Sequence, residues 1–501
     1  MYSRMYRTQD VTDHKHMLDR NEIPALFSSC LPKSCIFTAI EKLRPYECDG
    51  YTAYRSLPLA VILPETTQQV VDVIKTCHKH NIPIVTRGAG TGLSGGAHPI
   101  ENGILLNVSK LNQIYEVNPE LHYARVGPGV RNLAISEQAS AYGLYYAPDP
   151  SSQIACTIGG NIAENSGGVH CLKYGLTVHN ILEITFVTIE GEIVTIGSEC
   201  YENPGYDLLA LMTGSEGMLG IIIEAKVKLL PVPANKQVIL AAFNRVEDAG
   251  EAVANIIANG VIPAGLEMMD QAVIQATENF CQPGYPTNAA AILLCELDGY
   301  DEALQWEIEQ VTQQCQDCHA TSVQQASNTQ EQELFWKGRK SAFPAIGQLA
   351  PDYLCMDGTI PRQHLAQVLA EISSISKRVG LPVANVFHAG DGNLHPLIMY
   401  DANNEGELSK AEDIGSQILE LCVRVGGTIT GEHGVGIEKL NQMCVQFNSQ
   451  ELDQFEQVKL AFDAPRLLNP GKAIPTLQRC AEFGAMHVHG GELPFKDIPR
   501  F

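Results

Sequence analysis

The sequence predicts an α+β chain of two domains, and three observations carry that expectation. From Leu59 to Pro231, short β-rich runs alternate with glycine-rich turns. Residues 231–235 (PVPAN) then break the pattern with Pro and Asn, which places a domain boundary there. From Lys236 to about Tyr400 the order is strand, helix, strand, helix, strand, helix, strand, which suits helices laid on one face of a sheet. A chain of 501 residues exceeds one ordinary domain, and 45% hydrophobic against 18% charged residues supplies ample core.

The elements follow in order. Residues 1–50 read as helical and irregular, ending around Pro45 to Cys48. LAVILP (59–64) reads as a strand because it is apolar, branched and closed by Pro. Thr67–His80 reads as an amphipathic helix, with Val70, Val71, Val73 and Ile74 on one face, and Ile82–Thr86 as the next strand. Later strands are expected at Ile104–Val108, Tyr123–Val126, Ile181–Ile189, Ile193–Ile196 and Ile221–Leu230. In the second domain the strands are Val238–Phe243, Ala290–Leu297, Leu354–Ile360 and Val383–His388. The helices between them are Val246–Asn259, Asp301–Gln314 and Arg362–Val379. Near the end, LLNPGKAIP (467–475) leaves a helix for an extended segment, and no internal repeat is visible.

Charge narrows the function. The net charge of −23 argues against a nucleic-acid surface or an electrostatic grip on anionic lipid. The polar N-terminus has no apolar h-region, and no apolar run approaches the length that spans a bilayer. Fifteen cysteines without framework spacing read as reduced thiols in a cytosolic compartment. The one CxxC, Cys315 to Cys318, reads as incidental thiols on a solvent-facing helix, and no iron–sulfur ligand set is present.

Two glycine-bracketed stretches present the parts of a metal site. VANVFHAGDGNLHPLIMY (383–400) reads as a hairpin turning at Gly390-Asp391-Gly392, which would bring His388 and His395 to within about 5 Å on facing strands. GGTITGEHGVG (426–436) adds Glu432 and His433 on a second turn. Two imidazoles and a carboxylate, His388, His395 and Glu432, match an open divalent-metal site for Zn or Mn, and Fe also accepts such ligands. His433 is either a fourth ligand or a general base.

Three glycine loops in one block of the first domain point to a large nucleotide cofactor. RGAGTGLSGG (87–96) contains GxGxxG at Gly90, Gly92 and Gly95, but runs on to a strand with no helix and no acidic residue at the next strand end. It is therefore a nest of backbone N–H groups for a diphosphate and not a Rossmann loop. PDPSSQIACTIGGNIAENSGG (148–168) offers small residues that admit a flat ring, and the turn 213–217 (TGSEG) precedes a strand. No Walker A lysine is present, which disfavours ATP hydrolysis.

The order RGAGTGLSGG, PDPSSQIACTIGGNIAENSGG, TGSEGMLGI, HAGDGNLH, GEHGVG and LLNPGK resembles the FAD-linked oxidases of the vanillyl-alcohol-oxidase type. RPYECDG (44–50), GPGVRNLAIS (127–136), GGVHCLKYGLTVHN (167–180), MDGTIPR (356–362) and the tail from 479 narrow this to the D-lactate/glycolate/2-hydroxyglutarate dehydrogenase branch. The chain there is similar, nearly end to end, to the FAD-linked subunits of bacterial glycolate oxidases. The resemblance covers roughly residues 50–475.

It implies a two-part PCMH-type FAD-binding domain with an inserted α+β substrate (cap) domain and a C-terminal segment that returns to the flavin. The divisions are 1–50 (N-terminal helical region), 51–232 (FAD domain), 233–445 (cap with the metal site) and 446–501 (C-terminal segment). It implies FAD contacts from Arg87, Gly88, Ala89, Gly90, Thr91, Gly92, Leu93, Ser94 and Gly95 in the first loop. Pro148, Ser152, Thr157, Gly159, Gly160, Asn161, Asn165, Gly167 and Gly168 follow from the second stretch, then Gly217, Ile222 and Asn469. Some members attach FAD through a His in the first loop; His98 lies outside it here, so the FAD is expected to be non-covalent. Arg339 matches the arginine that grips the substrate carboxylate in the 2-hydroxyglutarate branch, the alternative being a helix-surface Arg. The second, lysine grip of that branch is missing at residues 353–356 (YLCM), which favours a small monocarboxylate.

The expected activity is FAD-dependent oxidation of a small 2-hydroxy acid, glycolate to glyoxylate and also D-lactate to pyruvate, by the catalytic flavoprotein subunit of a complex. The alternative is a stand-alone FAD- and metal-dependent D-lactate dehydrogenase. Expected partners are a second FAD-type subunit and an iron–sulfur subunit, with a quinone as downstream acceptor and no nucleic acid. The expected location is cytoplasmic, peripheral on the inner membrane through the partner subunits.

Overall fold

In the computed structural model the described residues are 18–198, 205–476 and 480. The expectations for residues 1–17 and for the tail beyond Cys480 lie outside them. The FAD half is built on two sheets. The first has four strands in the order Ile36–Phe37, Ala60–Ile62, Ile104–Asn107, Ile84–Arg87, the last three mutually parallel. Thr67–His80 crosses between the second and fourth of these as a helix. Thr66 caps its start by accepting from the Gln69 amide, Asn81 ends it in the left-handed region, and the predicted apolar face is buried. The second sheet is antiparallel, in the order Ile114–Asn118, Tyr123–Val126, Ile221–Lys228, Ile181–Val187, Ile193–Gly197.

The chain comes back to the FAD half at its end. Leu467 and Asn469 exchange backbone hydrogen bonds with Ile84, both at 2.7 Å, extending the first sheet. Lys459, on the helix Ser449–Phe462, donates to the carbonyls of Met218 and Leu468 and to Asp463. These bonds tie the returning segment to both sheets.

The cap is a nine-stranded sheet whose main path runs Ser322–Gln325, Asn235–Phe243, Ala291–Gly299, Gly265–Asp270, Val383–His388, Asn393–Leu394, Gly358–Thr359. Its helices cover both faces, a correction to the single helical layer expected above. Ile239, Ala241 and Phe243 pack with the helices Val246–Ala258, Asp301–Asp317 and Leu365–Val379. Val238, Leu240 and Ala242 pack instead with Gln271–Cys281 and Thr329–Lys340. The physical reason lies in the strand: residues 238–243 (VILAAF) are apolar at every position, so both alternating faces require cover. The strand Gly265–Asp270 and its helix were not anticipated.

Two cysteine expectations are corrected. Cys315 and Cys318 are 1% and 4% exposed and belong to the cap core, so their helix turns the CxxC inward. Cys444 and Cys480 are joined in a disulfide, where reduced thiols were expected; the fold brings residues 36 apart in sequence to a Cα separation of 5.4 Å. The other twelve described cysteines are free.

A charged latch joins the two halves. His170, from the FAD half, lies between Asp149 (Nδ1 to Oδ2, 2.9 Å) and Glu296 of the cap (Nε2 to Oε1, 3.2 Å), and Trp336 Nε1 donates to the same Glu296. Lys173 and Tyr174 both reach Asp298. Burial alone would lower the His170 pKa, but Asp149 and Glu296 raise it from its ordinary 6.5 to about 10. The raised pKa means that the latch stabilises the fold fully below pH 6.5 and that this contribution is lost as pH rises through about 10. The melting-temperature gap between the native protein and His170→Gln is therefore expected to narrow toward zero from pH 7 to above 10. A gap that does not change with pH would show that the imidazolium charge is not what holds the halves.

Candidate active site

One cleft of about 360 Å³ runs between the halves. Its FAD-half wall is the run Arg87–Leu93, the helix Ile158–Glu164 and the turn Ser215–Gly217; Lys340, Phe343, Pro344, His395, Glu432 and His433 close the cap end. The first loop packs so closely that a Cβ at Gly88 would collide with the Thr157 hydroxyl, whose oxygen is buried without a partner. Gly90 takes φ +74°, a conformation costly for any side chain. At Gly160 the nearest atom to an added Cβ is 3.5 Å away, so this stretch leaves room for a flat ring. These features fit a bound FAD: backbone amides for the diphosphate, small residues for the ring, and orphaned hydroxyls.

Most predicted cofactor residues line this cleft: Arg87 to Leu93, Ser152, Thr157, Gly159, Gly160, Asn161, Gly217 and Ile222. Others act from behind it. Ser94 donates through Oγ to the His433 carbonyl at 2.7 Å, and its own carbonyl accepts from Ile437 and Glu438, so Ser94 and Gly95 dock the cap loop that carries His433. Asn165 ends the helix in the left-handed region and accepts from the Val178 amide; Gly168 packs on the backbone of Asp149, and the Pro148 carbonyl accepts from Asn132. Asn469 donates to the Gly96 and Glu216 carbonyls, and Lys472 adds bonds to Gly96, His98 and Asn469. His98 is buried outside the lining.

At the cap end the predicted ligands come together. His388 Nε2 and His395 Nε2 lie 3.3 and 3.1 Å from Glu432 Oε1, and the ligand atoms of all three lie within 4.8 Å of one another. The two histidines do not pair directly across the hairpin: His388 pairs with Asn393, and the rings meet at 5.1 Å between centroids. A Cβ at Gly167 would collide with Glu432, so that glycine lets the cofactor stretch lie against the ligand. Burial opposes charge on Glu432, but His388 and His395 hold its carboxyl well below the ordinary range. His388 and His395 are in turn raised by their carboxylate neighbours against the effect of burial.

Second partners fix each ligand. Glu267, on the strand next to His388 and in direct register with it, accepts from His388 Nδ1 at 2.8 Å, which leaves Nε2 for the cluster. Arg339 closes the chain: its guanidinium meets the same Glu267 at 2.7–2.8 Å and is 1% exposed. Arg339 thus does not line the cleft; Lys340, the next residue, does. Asp357 sits under the loop that carries Glu432 and His433 and accepts from the amides of Gly431, Glu432 and His433, from Thr430 and Asn393, and from Lys439 Nζ at 3.0 Å. Burial would raise its pKa, but Lys439 and the nearby imidazoles hold it well below the usual value. Neither Glu267 nor Asp357 was assigned from sequence, although a lone Glu within the apolar GLEMM run was a usable signal.

The carboxylate and imidazole donors fit a divalent cation. His395 Nε2 is buried and faces Glu432 Oε1 at 3.1 Å without the geometry of a hydrogen bond, an arrangement that a cation between the two would satisfy. His433 stacks on His395, with centroids 4.8 Å apart and planes 8° apart, and its Nδ1 is also unpartnered. Burial lowers the His433 pKa to about 4, so the imidazole is neutral near pH 7 and open to a proton.

Residues 58–197 match the FAD binding domain family, and residues 232–473 match the family described as FAD linked oxidases, C-terminal domain. The chain is 57% identical over 484 residues to glycolate oxidase subunit GlcD of Escherichia coli, covering 97% of both chains. It is 32% identical to a D-lactate dehydrogenase of Archaeoglobus fulgidus, over 83% of this chain and 91% of the other. A p-cresol methylhydroxylase structure with substrate bound superposes with a TM-score of 0.78 at 18% identity, over 91% of this chain and 97% of that one, which shows a shared fold.

Proposed function

Since the chain belongs to the FAD-linked oxidases, we propose that it is the flavoprotein subunit that oxidises glycolate, and D-lactate as a second substrate, to the 2-oxo acid. The observation that carries this reading is that one cleft is lined both by the glycine nest that fits FAD and by His395 and Glu432, whose cluster His388 completes from behind the lining. Bound FAD supplies the hydride acceptor. His388, His395 and Glu432 would hold a divalent cation, Zn or Mn, which would supply Lewis-acid chemistry there.

The chain's own residues do the rest. Neutral His433 accepts the hydroxyl proton at a ring nitrogen. Asp357 keeps that ring in place through the loop amides it accepts from and by way of Lys439. Glu267 and Arg339 act as a positioning pair that orients His388; with Arg339 removed, buried Glu267 would keep only His388 as a charged partner, and breaking a buried pair costs about 3–5 kcal/mol. The substrate carboxylate is gripped by Lys340 at the cleft wall, in place of the Arg339 expected from the resemblance.

Lys340→Met is accordingly expected to raise KM for glycolate about tenfold, as loss of one charge-assisted bond implies, while kcat changes little. An unchanged KM would remove Lys340 from the grip. Among the described residues Lys340 is the one Lys or Arg that lines the cap end of the cleft, which suits a small monocarboxylate over a dicarboxylate.

Electrons leave the reduced flavin through partners: a second FAD-type subunit and an iron–sulfur subunit, with a quinone downstream, at the cytoplasmic face of the inner membrane. In support, GlcD is named as a subunit, and among the described residues no helix is long and apolar enough to cross a membrane. Anaerobic mixing of the yellow protein with glycolate, D-lactate or D-2-hydroxyglutarate tests the reading. Fast flavin bleaching by the first two and slow bleaching by the third is expected. Bleaching by D-lactate alone would favour a stand-alone D-lactate dehydrogenase, and bleaching by none would overturn the reading.

A further inference from the structure

Glu164 is a half-buried residue lining the cleft, with one carboxyl oxygen fully buried, that nothing above employs. It ends the helix Ile158–Glu164, four residues on from Gly160 and three from Asn161, so the three share one helix face. All three line the cleft. Gly160 leaves space above that face, and Glu164 stands at its far edge. The carboxyl is wedged between two loops: a Cβ at Gly96, beyond the diphosphate nest, would collide with its Oε1, and one at Gly434, beside His433, would collide with its Oε2.

Its neighbour Glu216 contrasts with it. Both oxygens of Glu216 accept backbone amides, from Val435 and Gly436 at 2.7 Å, whereas Glu164 Oε2 is buried with no partner. Burial, then the negative charges of Glu216 and Asp49, raise the Glu164 carboxyl well above the ordinary range, with Lys439 and Lys472 opposing. A buried group of this kind without a partner is costly and calls for a ligand. The bound ring is the polar group that the cleft would bring to it.

We propose that Glu164 is a hydrogen-bond donor to the polar edge of the bound flavin and thereby raises its reduction potential. A donor at that edge favours the reduced ring, on which negative charge builds. The proposal rests on the FAD reading but not on the substrate or the metal.

The test is a reductive titration of purified holoprotein against a redox dye, with the visible flavin spectrum recorded and no substrate added. Glu164→Gln keeps an N–H donor at nearly the same place and should leave the potential near that of the native protein. Glu164→Ala should still bind FAD, show a changed spectrum, and shift the equilibrium with the dye at least tenfold toward oxidised flavin, about 30 mV for a two-electron couple. Glu164→Met, which fills the volume without a donor, should match Ala and stands in for it if Ala does not fold. Native potential and spectrum in Ala or Met would overturn the proposal, as would a Gln variant shifted as far as Met. Native protein purified without flavin would instead overturn the FAD reading itself.

Discussion

His433→Ala is expected to bind FAD normally, with its yellow spectrum unchanged, and to lose flavin reduction by glycolate by about 10²–10⁴-fold, the usual worth of a general base. The loss should fall on kcat with little change in KM, because the ring is not needed to hold the carboxylate. Its position supports this: the imidazole is stacked on His395, its Nδ1 has no partner, and burial keeps it neutral. His433→Gln separates the two roles the sequence left open. A fourth ligand would be marked by a fall in metal content, whereas a base would be marked by native metal content and lost turnover. Unchanged flavin reduction in the Ala variant would refute the role.

His388→Ala is the second large effect. Removing this imidazole takes one of three ligands and also leaves the Glu267–Arg339 pair without the ring it orients. Loss of even an outer partner costs 10–100-fold in metal affinity, so loss of the ligand should cost at least about 100-fold. Metal measured by elemental analysis should drop to a trace while FAD stays stoichiometric, since His388 is not among the residues that line the cleft beside the first glycine loop. Stoichiometric metal in this variant would refute the ligand assignment.

The parts of the site legible in the sequence are those in which chemistry and turn lie together on a short stretch. HAGDGNLH and GEHGVG each place their imidazoles or carboxylate beside glycines, so the triad could be assembled before any fold was known. The first glycine loop was legible as a closely packed turn because its glycines stand together, although what it packs against, Thr157, His433 and Ile437, lies far off in sequence. What was missed depends on strand order. Glu267 reaches His388 only because Gly265–Asp270 and Val383–His388 lie side by side, although the two residues are 121 positions apart in sequence. The pairing of Arg339 with Glu267 could not be read from the sequence for the same reason, nor could the place of Lys340 in the cleft lining. The two-faced cap sheet was hidden differently: an all-apolar strand has no period from which to read which side is covered. Asp357, in a quoted motif, went unassigned because its role is to accept backbone amides, and backbone groups leave no trace in a sequence.

The most direct test of a metal site facing a flavin in one cleft is anaerobic stopped-flow mixing with glycolate of metal-replete and chelator-treated protein. FAD content is checked before each run. Rapid bleaching in the replete protein is expected, with loss of bleaching but not of FAD after chelation, and recovery when Zn or Mn is returned. Equal bleaching before and after verified metal removal would contradict the account, because His388, His395 and Glu432 would then have to serve the reaction with no cation between them.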